Sequence, residues 1–360
     1  MPGHGKSAAQ RTAPAAVDNL RNLDVLRAYA VLVVAGSHLC RFCGFAPRYT
    51  VFVANLGVGG VLVFFVHTAL VLLLSMQRMK PNRLALSFYI RRAFRIYPLC
   101  WVAIALVLAT GLTDVDHQKI LQMGWRGAVA GALLLQNVFR YPNIEMPLWS
   151  LPWEVQMYLF LPGCYLILIR HRRKSAPLAM WACATLLAIA CTSLSIPRAL
   201  HASIFPPLFI GGMVAYRLLP GAPMKLPSYL WPLAIPALMV ARCSLLREVF
   251  IDTPRNTSVN AITCLILGLA IPFFEDVRSG WLGSLAHRIA KYSYGIYLLH
   301  VPCLALVFFH LPALWLPLKI GVFLVLTAVS SVLTYHLVEN PMIRLGRSIA
   351  GRVELSSAAP

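Results

Sequence analysis

The chain has 360 residues, of which 59% are hydrophobic and 12% charged, and its mean hydropathy is +0.71. That balance excludes an ordinary soluble domain and fits an all-α, polytopic transmembrane bundle. The formal net charge of +20 does not signal nucleic-acid binding: the Lys and Arg residues gather between apolar runs, as in loops that stay cytoplasmic beside anionic lipid, and no nucleic-acid-binding module is recognisable.

Residues 1–21 are polar and rich in Ala and Arg. They read as a disordered cytoplasmic tail without a cleavable signal peptide, so the first span itself directs insertion. That span, Asn22 to Cys43, carries Asp24, Arg27 and His38. Eleven residues separate Arg27 from His38, which returns them to within about 20° of one helix face and about 16 Å apart along the axis. Asp24, three residues before Arg27, falls on the same side. Ionisable groups are costly in hydrocarbon and usually face a bundle interior or a substrate path. One stripe holding all three points to a functional seam.

A second apolar run covers about Val51 to Met76, where Gly57, Gly59 and Gly60 permit close helix contact and His67 reads as a packing histidine. The loop that follows holds Arg78, Lys80, Arg83, Arg91, Arg92 and Arg95 and leads into a span ending near Leu112. The positive-inside rule makes this loop, and with it the N-terminus, cytoplasmic. Gly124 to Phe139 is apolar but short; a full crossing would turn the basic loop Arg170–Lys174 outward, so a re-entrant or interfacial segment is expected. Later spans are expected at about 153–169, 177–195, 201–219, 228–245, 258–275, 290–310 and 314–338. The total is about ten, within a membrane domain at 22–342, with a second cytoplasmic tail at 343–360. Arg242, Arg247 and Arg255 fall in an outward loop and run against this scheme. The nine cysteines are scattered; Cys40-Arg-Phe-Cys43, without a second pair, is a weak zinc signal.

Four groups of residues could carry chemistry. The first is the seam of the opening span. The second is Arg92 and Arg95, three apart on a helix, whose guanidinium forks suit phosphate; a topogenic charge cluster is the competing explanation. The third is Trp149-Ser150-Leu-Pro-Trp153-Glu154, with Tyr158 four residues beyond the carboxylate. It is expected at the outer surface, level with His38, where a carboxylate can fix an imidazole tautomer and stabilise the imidazolium. The fourth is Tyr297 and His300, which share a helix face. Serine nucleophile elbow, P-loop and metal-ligand motifs are absent from the sequence.

Taken in order, these segments resemble the integral-membrane acyltransferase-3 family. The resemblance rests on Leu23-Asp-Val-Leu-Arg27-Ala with ten residues before His38, Arg92-Ala-Phe-Arg95-Ile-Tyr-Pro98, Trp149-Ser-Leu-x-x-Glu154-x-Gln-x-Tyr158, Ser293-Tyr-Gly-Ile-Tyr297-Leu-Leu-His300, and Val338-Glu339-Asn-Pro341. Two departures stand out. His67-Thr68-Ala69 replaces a Ser-Gly-Phe-like turn, and Val155 replaces a second acidic residue after Glu154.

The resemblance implies transfer of an acyl group, expected to be acetyl, from acyl-CoA as co-substrate to a hydroxyl of a glycan or lipid-linked glycan, with no tightly bound cofactor and no metal. Bacterial exopolysaccharide or O-antigen is the expected acceptor, the bacterial inner membrane the expected location, and membrane lipids and a polysaccharide-assembly complex the expected surroundings. His38 and Glu154 are the implied catalytic pair. Arg92, Arg95 and Arg27 are the implied donor-binding set, supported by Asp24, Trp149, Ser150, Tyr158, Tyr297 and His300. A transporter or flippase with a polar path, and a non-catalytic partner in a polysaccharide complex, are the alternatives.

Overall fold

The computed structural model describes residues 21–44, 47–80, 83–115, 117–171, 173, 175–194, 202–221, 225–249, 252–278 and 280–356. The expected N-terminal tail thus lies outside the described residues except for Arg21, which opens the first helix. Among the described residues thirteen α-helices follow one another: α1 Arg21–Phe42, α2 Pro47–Gln77, α3 Leu84–Thr110, α4 His117–Ala132, α5 Gln136–Phe139, α6 Leu151–Arg170, α7 Ala176–Ser193, α8 Pro206–Leu218, α9 Trp231–Leu245, α10 Pro254–Ala270, α11 Trp281–His310, α12 Leu316–Thr334 and α13 Asn340–Ser356. Among the described residues there is no strand, only an isolated bridge between Leu226 and Phe274.

Local chemistry sets several helix ends. Gly111 (φ 70°) stops α3 in the left-handed conformation and donates its N–H to Val107 O at 2.8 Å. Thr253 caps α10 by accepting from Asn256 N at 3.2 Å, with Pro254 at the first helical position.

Among the described residues eight helices are long and apolar enough to cross a membrane, and the protein is a membrane protein. The two other expected spans are present as α6 and as a shorter apolar helix over Ala202–Leu218. Every residue from Pro207 to Ala215 is buried, so α8 lies inside the bundle against protein and not lipid. α2 continues unbroken through His67-Thr68-Ala69. α1 lies between α2 and α11, and α8 between α2 and α10. Small residues set these approaches: a Cβ on Gly60 would lie 2.7 Å from Ala30 O, and one on Gly212 would lie 2.7 Å from Ala69 Cβ.

Residues 117–139 do not form a straight span. α4 is broken at Gly124 (φ 59°), α5 has four residues, and Leu134 and Arg140 take φ of 56° and 60°. Trp125, Val138 and Phe139 are exposed while Leu134 and Gln136 are buried, the pattern of a segment lying over the bundle. Tyr97 and Trp101 of α3 tie it down by donating to Leu133 O and Ala132 O at 3.2 and 2.8 Å.

Within the segment expected as a cytoplasmic tail, α13 runs to Ser356 and packs along α3. Arg242, expected in an outward loop, is not a loop charge. It is buried within α9, donating to Asn260 Oδ1 at 2.9 Å and Asn55 O at 2.7 Å, which removes one of the three charges that conflicted with the outward loop.

Candidate active site

The start of α1 is pinned by Asn22, whose amide donates to Glu275 O at 3.0 Å and whose side-chain oxygen accepts from Val277 N at 3.0 Å. Trp231 Nε1 donates to Asn22 O at 2.9 Å. This anchor fixes the rotation of α1 and so the direction of its polar stripe. Asp24 does not pair with Arg27: its carboxylate lies 2.8 Å from His287 Nδ1 on α11. Arg27 turns instead into a cavity of about 860 Å³.

That cavity is strongly basic. Arg27, Arg78, Arg91, Arg92, Arg95, Lys291 and Arg347 line it, against the carboxylates of Asp24 and Glu354. The arginines are not equivalent. Arg95 is ion-paired with the fully buried Glu339 side chain and lies 5.4 Å from the centre of the Tyr294 ring. Arg91 meets Glu354 at 3.0 Å. Arg27 and Arg92 have no ion pair among the described residues, and the Nε of each is buried without a hydrogen-bond partner. Unused guanidinium donors beside open volume form a receptor for an anion, above all for phosphate oxygens.

Arg27, Arg92 and Arg95 also line a second, narrower cavity of about 100 Å³. Glu154 lies here, accepting from Tyr158 OH at 2.5 Å and from Thr68 Oγ1 at 3.3 Å, within electrostatic reach of Arg27 and Arg92. Ser150 and Tyr297 close its far side. Tyr297 donates to Pro147 O at 2.8 Å, so Ser150, 2.7 Å away, donates to Tyr297.

A third cavity, of about 240 Å³, shares Val61 with the second. His38, Ser37, Arg41, Met146 and Trp149 are among its walls. The His38 ring meets His300 edge-on, with centroids 5.1 Å apart and planes at 72°. His300 donates from Nδ1 to Ile296 O at 3.0 Å, and His38 Nδ1 is buried without a partner. Three cavities with shared walls therefore follow α1 from Arg27 to His38.

The structure brings Arg27, Arg92, Arg95, Glu154 and Tyr158 together at one end, and His38, His300 and Trp149 at the other, with Ser150 and Tyr297 between them. It does not join Glu154 to His38. α6 begins below the surface, because the segment preceding it folds inward: Leu148, Leu151 and Pro152 are buried. Thr68, Tyr294 and Glu339 were not among the expected site residues. Glu339 had a signal in Val338-Glu339-Asn-Pro341, but its partner Arg95 is 244 residues away. It is aimed by a π-helical turn, Tyr335–Glu339, between α12 and α13.

A sequence profile of the acyltransferase domain family matches residues 20–336. The chain is also 27% identical over 320 residues to "Acyltransferase MdmB" of Streptomyces mycarofaciens, covering 80% of this chain and 79% of that one. No solved structure matches the chain. The matched span takes in both groups of polar residues along α1, and the chain belongs to the acyltransferase-3 family of membrane acyltransferases.

Proposed function

We propose that the protein transfers an acyl group from acyl-CoA to a hydroxyl of a glycan or glycan-like acceptor, with His38 as general base. The observation that carries this reading is the string of cavities along α1, with unpaired guanidinium groups at one end and a buried imidazole at the other. The phosphates of CoA bind Arg92 and Arg27, and Arg95, fixed by Glu339, adds field without giving up its partner. The pantetheine arm runs past Glu154, whose carboxylate accepts from amide N–H groups. Glu154 thus guides the arm and does not support His38.

The thioester reaches His38 from one side and the acceptor from the other. His38 takes the hydroxyl proton as the hydroxyl oxygen attacks the thioester carbonyl. The carbon–sulfur bond then breaks, and the departing thiolate recovers the proton from the imidazolium, giving ester and free CoA. Trp149 gives the acceptor pocket an aromatic wall for the apolar face of a sugar ring. The basic end faces the cytoplasm with both chain termini, in line with the positive-inside rule; the acceptor enters from outside.

The test uses purified protein in liposomes with labelled acetyl-CoA and longer acyl-CoA donors, and a panel of envelope glycans and smaller hydroxyl compounds. His38→Ala is expected to abolish transfer while the protein still inserts and unfolds at the wild-type temperature. Full transfer by that variant would sink the mechanism, as would acceptor movement across the membrane without acylation.

A further inference from the structure

Two rings in direct contact each hold a buried nitrogen without a hydrogen-bond partner: Nδ1 of His38 and Nε2 of His300. Their centroids are 5.1 Å apart and their planes cross at 72°. The state of the His300 ring is set by its own helix. Its Nδ1 donates to Ile296 O, four residues back, at 3.0 Å, so in the neutral ring Nε2 carries the lone pair. His300 is 0% exposed, and an acceptor left unused at such a depth is costly.

His38 lacks the local solution that His300 has. The carbonyl four residues back on α1 is Val34 O, which receives the helical N–H of His38. It also accepts the Ser37 hydroxyl at 2.7 Å. The acceptor that remains beside His38 Nδ1 is His300 Nε2. Ring atoms that face each other at this centroid separation come within hydrogen-bond reach. The rings now pack edge to face; turning His38 about its Cβ–Cγ bond, a torsion with a broad minimum, directs Nδ1 at Nε2. Only one tautomer fits that partner. A proton on Nδ1 gives a donor facing an acceptor, whereas a proton on Nε2 sets two lone pairs against each other.

We propose that His38 Nδ1–H donates to His300 Nε2, and that this bond keeps the lone pair of His38 on Nε2, the nitrogen left for the cavity. When Nε2 takes the acceptor hydroxyl's proton, the imidazolium keeps its Nδ1–H on His300, whose ring is anchored in turn on Ile296 O. The Nδ1 proton does not move and His300 stays neutral. His300 is then a positioning residue acting through His38, and it fills the role first expected of Glu154. The inference rests on His38 being the base.

The experiment compares wild type, His300→Phe, His300→Gln and His38→Ala in liposomes. His300→Phe keeps a ring against His38 but removes the acceptor. It is expected to lower kcat about a hundredfold, within the range that general-base catalysis supplies, with KM for donor and acceptor within about twofold. His300→Gln gives up the ring but offers an amide oxygen to Nδ1–H, and is expected to hold kcat within about tenfold of wild type. A histidine that serves only as packing predicts the opposite order, with Phe tolerated and Gln damaging. Nitrogen NMR of isotope-labelled histidine, with His38 assigned by its loss in His38→Ala, reads the tautomer directly. At a pH where His38 is neutral, wild type and His300→Gln should show the proton on Nδ1, and His300→Phe should lose that preference.

Wild-type kcat in His300→Phe, a larger loss in His300→Gln than in His300→Phe, or a wild-type His38 protonated on Nε2 overturns the proposal and leaves His38 as the base. The wild-type spectrum decides the matter even if neither variant folds. A wild type that transfers nothing, or a His38→Ala variant that transfers normally, overturns the underlying reading, and the role of His300 with it, whatever the tautomer.

Discussion

Arg92→Ala tests the donor cavity most directly, because Arg92 is committed to no carboxylate. Arg95 has Glu339 and Arg91 has Glu354, so removing either would also strand a carboxylate and confuse the readout. Removing Arg92 breaks no ion pair among the described residues, and Glu154 keeps Arg27 within electrostatic reach. A hydrogen bond to a charged group is worth about 1.5–3 kcal/mol. At about 1.4 kcal/mol per factor of ten, KM for acyl-CoA should rise about tenfold to somewhat over a hundredfold. kcat should hardly move, because on the proposed reading the phosphates bind about 16 Å along α1 from His38. The assay follows CoA release, first with acyl-CoA and then with the same acyl group on pantetheine, which lacks the phosphates. Arg92→Ala should weaken the first donor and leave the second as it was. Equal losses with both donors, or an unchanged KM for acyl-CoA, would refute the assignment of this cavity to CoA phosphates.

Three further outcomes follow from packing and hydrogen bonding. Arg242→Leu leaves Asn55 O and the Asn260 amide oxygen without their donor and should cost about 2 kcal/mol, read as a lower unfolding temperature in detergent with kcat per folded molecule retained; a higher temperature would mean that burying the guanidinium costs more than its bonds return. Gly211→Ala forces a Cβ onto the Cys264 carbonyl and should destabilise by about 1–3 kcal/mol. Gly163→Ala, with nothing within 4 Å, should be neutral or stabilising, and equal effects at the two sites would contradict the close crossing of α8 and α10. Tyr297→Phe should lower thermal stability more than Ser150→Ala, because it removes the donor to Pro147 O as well as the contact with Ser150; the reverse order would refute the direction assigned to that pair.

The polar stripe of α1 was legible because a helix maps residue spacing directly onto angle. So was the irregular course of residues 124–139, expected from their short apolar length and from charge placement. The level of Glu154 was misjudged for a different reason. A span start read from hydropathy assumes that the preceding loop stays at the surface, and here that loop carries Leu134, Gln136, Glu145 and Leu148 into the interior. The head of α6 descends with it, taking Glu154 from His38 to the arginines. Asp24 illustrates a second limit: Arg27 was visible three residues away, whereas His287, its actual partner, is 263 residues away. Sequence spacing ranks near neighbours first, while a bundle pairs groups by which helices meet.

The long reach of these pairs bears on how the molecule is made. Asn22 with Asp276, Asp24 with His287, Arg91 with Glu354 and Arg95 with Glu339 each join an early helix of the chain to its last quarter. Helices α1 and α3 therefore enter the bilayer before their counter-charges have been synthesised, and a charge exposed to hydrocarbon is costly. Until α11 and α13 arrive, those side chains must stay hydrated or sheltered by another protein. The basic cavity acquires its α13 walls, Arg347 and Glu354, only after its other walls have been made. Assembly of the cavity is coupled in this way to synthesis of α13, and truncation before α13 removes a wall of it.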